Sequence, residues 1–566
     1  MISGAKILQA SIAALLIITS PTIAAEITFT KDIAPIFFHK CASCHRPGQT
    51  APFSLLTFGD AKKHAPDIAE ATRTGYMPPW LPEAGEHEFL RERRLTAGQI
   101  ALIQDWVSTG ASEGNPSDLP PTPNFPGGWL LGPPDLIAKM PEPYSLAPDG
   151  QDLYRNFVLP TPSPETRFVR AFEFHPGNRS VHHVRIRFDP TRQSRRLDAQ
   201  DEEPGFSGMN TPAKFPPGHM TTWVPGQEPA LVPEGLFWTL GKEMDIVLQI
   251  HLQRTGKREL IQPEIGFYFT NRPPSRRSHL IGLTSELIEI PAGDPSYFVE
   301  RRFELPAGGV QVLSVLPHMH YLGKEAEAFA TLPSGKNESL LRIKNWDFNW
   351  QGEYRFREPV SLPSGSVITM RYRFDNSAEN PRNPSHPPRP VYYGPQSTDE
   401  MAELWLQVVP NIPADLALLQ KAQRTSNDLE TVAYYEKQLS RNPRDAAVHT
   451  TLGKVLGPMG KLREALGHFA LAVELEPNRV EAHYYLGLSL LTVGEIPGAR
   501  EEFESVLRLD PRYEKAHDGL GLLFLRMNKP EEAAAHFDQA LQINPDDPAA
   551  RENLHKIKTS IAPKGN

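Results

Sequence analysis

The sequence predicts a multidomain chain: a small all-α unit, two all-β sandwich domains and a C-terminal α-solenoid. Three observations predict it. A Cys-x-x-Cys-His run lies near the N-terminus, short β-rich runs divided by turn residues fill about the next 280 residues, and proline recurs every 34 residues toward the C-terminus. At 566 residues the chain also exceeds what one hydrophobic core organises.

Lys6, the apolar stretch Ile7 to Ile18 and the small residues of Thr22-Ile23-Ala24-Ala25 form the pattern of a secretory signal over residues 1–25. A periplasmic or secreted protein, cleaved after Ala25, is expected. No later segment holds eighteen uninterrupted apolar residues, so no transmembrane segment is expected after cleavage. Loss of Lys6 takes the net charge from −8 to about −9, and no basic block is present, which argues against nucleic acid as a partner. Cys41 and Cys44 are the only cysteines, so the chain must fold without disulfides once they are committed elsewhere.

Cys41-Ala42-Ser43-Cys44-His45 is the attachment pattern of a c-type haem. Two thiols one helical turn apart form thioether bonds, and the adjacent His45 becomes an axial iron ligand. A zinc half-site or redox dithiol is the other reading, but no second cysteine pair follows and no thioredoxin-like strand precedes. Met77, held at Pro78-Pro79-Trp80, is preferred as sixth ligand because the proline rings fix the backbone presenting the thioether; His64 competes. Core filling is the commoner fate of a methionine. The segment 26–114 resembles a small cytochrome c domain in ending with a helix, Ile100 to Trp106, and the Pro/Gly-rich stretch 115–128 reads as linker.

Beyond it, Phe168 to Phe174, Val184 to Phe188, Ile246 to Leu252 and Val367 to Phe374 are short, alternating or β-rich, and divided by Pro, Gly, Asn and Asp. Two domains are expected, 129–280 and 281–412. They carry histidines in apolar runs: Val181-His182-His183-Val184, Ile250-His251-Leu252 and His318-Met319-His320. Residues two apart on a strand share a face, so His318 and His320 can chelate one ion. Neighbours point to opposite faces. His182 and His183 therefore require a bend in the strand, or binding through Nδ1 of one ring and Nε2 of the other. Each pair needs a third ligand, and His251 and Met401 are the available pieces. The bland reading is a set of imidazoles that only hydrogen-bond within a sandwich. His175, His219 and His386 lie in turns and are expected to be surface or satisfied histidines.

In order and approximate spacing, Val181-His182-His183, Val247-Leu248-Gln249-Ile250-His251, Leu316-Pro317-His318-Met319-His320-Tyr321-Leu322-Gly323-Lys324 and Asp399-Glu400-Met401 resemble the copper type II ascorbate-dependent monooxygenases. These include the peptidylglycine α-hydroxylating and dopamine β-monooxygenases. The resemblance covers about residues 130 to 410. It implies two jelly-roll-like β domains facing each other across a cleft, with His182, His183 and His251 as the electron-supplying copper site. It implies His318, His320 and Met401 as the catalytic, oxygen-activating copper site. A soft thioether favours Cu(I), which agrees with that division. Peptide-amidating members carry arginine two residues before the His-x-His and Asn and Tyr after the methionine. Leu316, Glu403 and Trp405 stand in those positions, so a glycine-extended peptide is not the expected substrate.

Pro443, Pro477, Pro511 and Pro545 keep the 34-residue period of tetratricopeptide repeats. Gly453, Gly487 and Gly521, Ala465, Ala499 and Ala533, and Phe469, Phe503 and Phe537 keep step with them. The repeat region is placed at 413–560, with three full repeats over 446–545, a half-repeat around Leu429 to Leu439 before them and a polar cap, Pro548 to Thr559, after them. The array either binds a protein partner on its concave face or docks on the enzyme.

The expected protein is an exported copper monooxygenase holding two copper ions and one covalent c-type haem. It hydroxylates an activated C–H bond of a small molecule with O2. The reductant is ascorbate or a redox donor protein delivering electrons through the haem. The reading from another class is a non-catalytic haem and copper module for electron transfer or copper sensing, with the repeats as scaffold. Metal-free sandwich domains form a third.

Overall fold

The computed structural model describes residues 26–561 apart from 48–50, 126–127, 161–162, 230, 243, 307 and 546; the expected signal segment 1–25 lies outside the described residues. The chain divides into two compact units. The first ends at Pro79 and resumes over Arg93–Asn124; the second takes Trp80–Glu92 and everything from Phe125 onward.

The first unit is helical, with Ala34–Lys40, Phe58–Lys63, Ala65–Arg73 and Ala97–Ser108 around Phe29, Phe37, Ile103 and Trp106. Thr96 starts the last helix with a capping box: its hydroxyl accepts the Gln99 N–H while the Gln99 side chain accepts the Thr96 N–H. Just before the expected linker, 115–128, the two ends of the unit are tied together. The Phe29 and Thr30 amides donate to the Ser112 and Glu113 carbonyls at 2.9 and 3.0 Å, the Trp106 indole donates to Ser112, and the unit runs on to Asn124.

The excursion Trp80–Glu92 departs from the expected haem segment. It packs on the second β domain, where Trp80 meets Tyr354 at 5.3 Å and Phe89 stacks on Phe356 at 5.0 Å between ring centres. Its backbone pairs with two edge strands, Glu83 N–H to Arg342 O at 2.8 Å and Leu90 N–H to Arg355 O at 2.7 Å. Large apolar side chains and open sheet edges are satisfied by the same contact.

Each β domain buries the inner faces of two antiparallel sheets in one core. In the first, Asp245–Leu252 lies between Leu153–Pro160 and Val181–Asp189. The other sheet holds Leu136–Lys139, Glu264–Thr270, Arg167–His175 and Trp238–Leu240. Phe157, Val169, Val184, Leu248 and Phe267 meet between them. In the second, the sheet of His279–Thr284, Glu403–Pro410, Val310–His318 and Tyr354–Leu362 covers that of Tyr297–Glu304, Val367–Phe374, Gly323–Thr331 and Asn337–Ile343. Val315, Ala328, Ile368, Tyr372 and Leu406 fill the space.

A 26-residue helix, Leu416–Arg441, follows, far longer than the half-repeat read around Leu429 to Leu439. It serves the β domain along its length, Lys437 and Arg441 near its end pairing with Glu289. Gln423 bonds the Gly282 backbone in both directions at 3.2 and 2.7 Å, and buried Glu430 accepts from Ser285 and pairs with Arg301 at 2.7 Å. Helices Ala446–Leu456, Leu462–Leu475, Val480–Val493, Ile496–Leu509, Glu514–Arg526, Pro530–Ile543 and Pro548–Ile561 complete the chain. Among the described residues no helix is long and apolar enough to cross a membrane.

Candidate metal centre

On Val181–Asp189, Val184, Ile186 and Phe188 point into the core, so His183, Arg185 and Arg187 take the opposite face. The histidine pair needs a break in that alternation, and the pairing register shifts between Val181 and His183. His183 then lies opposite His251. Ring centres of His182, His183 and His251 are 4.8 to 5.4 Å apart, and one ligand atom from each lies within 4.8 Å of the others. All three are buried. Burial, together with the charge each ring would place beside the others, holds His182 down at about 3 and His183 well below the ordinary range. They are therefore neutral, the form that ligates a metal.

The donor chemistry fits copper. His251 donates from Nε2 to Asp152 at 3.0 Å, which turns Nδ1 toward His183 Nε2, 3.2 Å away. Tyr154 stacks flat on the same imidazole at 4.3 Å. Both ring nitrogens of His182 are shielded from water and have no hydrogen-bond partner among the described residues.

His318 ends Val310–His318 and His320 lies just past it, their rings 5.2 Å apart. His318 Nδ1 bonds the Gln351 amide oxygen at 2.5 Å and His320 Nδ1 bonds the Asp399 carbonyl at 3.1 Å. Each therefore carries its proton on Nδ1 and leaves Nε2 as a lone-pair donor. Burial lowers both pKa values, that of His320 strongly. Met401 is buried. The fully buried Glu400 carboxylate joins the pieces, accepting from the amides of His320 at 2.9 Å, Leu322 at 2.6 Å and Met401 at 3.2 Å. Burial pushes its carboxyl up to about 8 against these three donors.

The two groups meet across the domain interface. His183 and His318 ring centres are 6.4 Å apart, and Phe348 lies 4.5 Å from His182 and 5.3 Å from His320. Phe348 thus lies between the two groups, where the resemblance implies a cleft. Glu403, paired with His318 across the strands, bonds the Trp405 indole at 3.0 Å.

In the first unit Cys41 and Cys44 follow helix Ala34–Lys40 in a turn, with the Cys44 and His45 amides donating to the Cys41 carbonyl. Burial pushes the Cys41 thiol up to about 12. His45 Nδ1 bonds the Phe53 carbonyl at 3.1 Å, which leaves Nε2 as a lone-pair donor. Phe53 stacks on His64 at 3.9 Å, so His64 belongs to the surroundings of His45. Met77, whose amide donates to Ala71 O, is not part of that ring stack.

Of the remaining histidines, His175 stacks on Trp129 at 3.7 Å and bonds Glu173 and Glu264, and His219 bonds Gln407. Asp152, Gln351, Glu400 and Phe348 are the site residues that sequence reasoning missed. Glu400 carried a signal, a carboxylate beside the candidate ligand Met401; the others act through distant contacts.

Two models described as tetratricopeptide repeat match residues 450–514 and 514–547. The C-terminal region is a tetratricopeptide repeat array. Within it a Cβ added at Gly453, Gly487 or Gly521 would stand 2.6 to 2.9 Å from Phe469, Phe503 or Phe537, so glycine permits each helix crossing. Two repeats share a histidine contact: the Nε2 of His449 and of His483 meets the Pro443 and Pro477 carbonyls at 3.0 and 2.8 Å, while their Nδ1 meets His468 and Glu502 on the next helix.

Solved structures similar to the chain include MamA, at 21% identity, covering 25% of this chain and 82% of that one, TM-score 0.23. Another is the first tetratricopeptide domain of Spaghetti (RPAP3) bound to an HSP90 peptide, at 21% identity, covering 21% and 93%, TM-score 0.20. A third is the Arabidopsis OM64 domain, at 18% identity, covering 20% and 96%, TM-score 0.20. No curated protein matches the chain.

Proposed function

We propose that the chain is an exported copper-dependent monooxygenase that hydroxylates an activated C–H bond of a small molecule, with electrons delivered through a fused c-type haem. One copper belongs to His182, His183 and His251 on the first jelly-roll-like domain, the other to His318, His320 and Met401 on the second. The observation that carries this reading is the meeting of two buried imidazole groups in which His182 has neither ring nitrogen satisfied by a described protein group. A cluster so costly to bury is accounted for by a ligand.

Bound copper supplies the one-electron chemistry toward O2 that side chains lack. The chain does the rest. Asp152, Gln351 and the Asp399 carbonyl fix the imidazole tautomers, Glu400 fixes the backbone from His320 to Met401, and Phe348 excludes water between the groups. The overall reaction consumes R–H, O2, two electrons and two protons and yields R–OH and water. Cys41, Cys44 and His45 would hold the haem that passes electrons from a periplasmic carrier or ascorbate, and the repeat array offers its concave face to a protein partner.

Met401→Ala tests the reading on copper-loaded, haem-matured protein supplied with reductant and candidate C–H substrates. O2-dependent product is expected in wild type and absent in the variant. Copper-loaded wild type that consumes no O2 would instead favour a non-catalytic electron-transfer or copper-sensing module. A haem that stays reduced during turnover contradicts the haem route alone.

A further inference from the structure

Asp152 sits immediately before strand Leu153–Pro160, and its carboxylate serves both β domains. Oδ2 accepts from His251 Nε2 at 3.0 Å within the first domain and from the Ser397 hydroxyl at 2.7 Å in the second. Ser397 lies inside a rigid turn. The Gln396 amide donates to the Asp399 carboxylate at 3.0 Å, and the Asp399 amide returns to the Gln396 carbonyl at 2.9 Å. The same Asp399 accepts from His320 Nδ1 through its carbonyl, and Met401 follows two residues on. One continuous path therefore runs from His183 through His251, Asp152, Ser397 and the turn to His320. In its first half Tyr154 stacks on His251.

We propose that Asp152 is a positioning residue shared by the two metal groups, and that its bond to Ser397 is a latch coupling their occupancy. The inference rests on the copper reading above. Asp152 sets the tautomer of His251, so that Nδ1 faces the first metal, and the same oxygen holds the turn that carries Asp399 and Met401 to the second. A metal that orders His251 then also orders the Asp152 carboxylate and, through Ser397, the second ligand set. Coupling of this kind is reciprocal.

Stepwise Cu(I) binding to the full haem-loaded chain, measured by chelator competition, tests the latch in wild type, Asp152→Asn and Ser397→Ala. Chemical oxidation of samples from each step to Cu(II) lets electron paramagnetic resonance assign the step to its site. Asp152→Asn should weaken both steps by about tenfold or more, the loss typical of an outer partner of a metal ligand. Ser397→Ala touches no imidazole; it should leave the first step within about twofold and weaken the second by about fivefold or more, the lower range of site coupling. Asp152→Asn weakening the first step alone, or Ser397→Ala leaving both unchanged, would overturn the latch while two bound coppers in wild type leave the copper reading intact. Wild type without copper would overturn both. If Asp152→Asn does not fold, Ser397→Ala decides.

Discussion

A buried imidazole with both nitrogens unsatisfied is expensive, and His182 is such a residue. Leaving buried polar atoms unpaired costs about 1–3 kcal/mol. His182→Leu should therefore stabilise the metal-free chain by about 1 kcal/mol, read by denaturant unfolding, while removing one copper; a loss of apo stability would show that the ring is structurally satisfied. His219 gives the pH prediction. Burial and then the Arg355 guanidinium lower it from 6.5 to about 4. Between those values the unfolded chain binds a proton that the native chain refuses, so stability falls as pH drops through that window and is untouched above it. His219→Gln should flatten this part of a stability-versus-pH curve. At this scale the ligand candidates were legible, because His-x-His spacing and histidines in apolar runs are local signals. Asp152 and Gln351 were not, since their partners lie 99 and 33 residues away.

Elements differ in how openly the sequence declares them. The repeat helices repeat their packing residues every 34 positions, and each Gly-to-Phe contact is visible as a column. Gly487→Ala would bring a Cβ to 2.9 Å from Phe503, and overpacking of this kind costs about 1–3 kcal/mol. Thermal melting should show the array losing stability while copper content is unchanged. The helix Leu416–Arg441 was read short because its sequence follows the β domain it packs on instead of the repeat period. Its anchor is the Glu430–Arg301 pair, in which the carboxylate is 7% exposed. Glu430→Ala leaves a cation without its partner and should cost about 3 kcal/mol, with proteolysis between the second β domain and the array as the readout. The bend that His182 and His183 require was foreseeable from strand geometry; its place, between Val181 and His183, came from the ladder.

Across the whole molecule, composition and turn patterning made the order helical unit, β region, repeat array legible. The boundaries were less so. Trp80–Glu92 reads as part of the haem segment by position, but its Trp80 and Phe89 find their aromatic partners on the second β domain. The closeness of the two histidine groups was equally out of reach, because it depends on how two domains meet around Phe348. The central claim is that these groups hold copper. Its most direct test is metal analysis of the haem-matured full chain after copper loading and removal of loose metal. Two copper ions per haem iron are predicted for wild type, one for His182→Ala and one for His318→Ala. Wild type that carries haem iron but no copper above background would contradict the account.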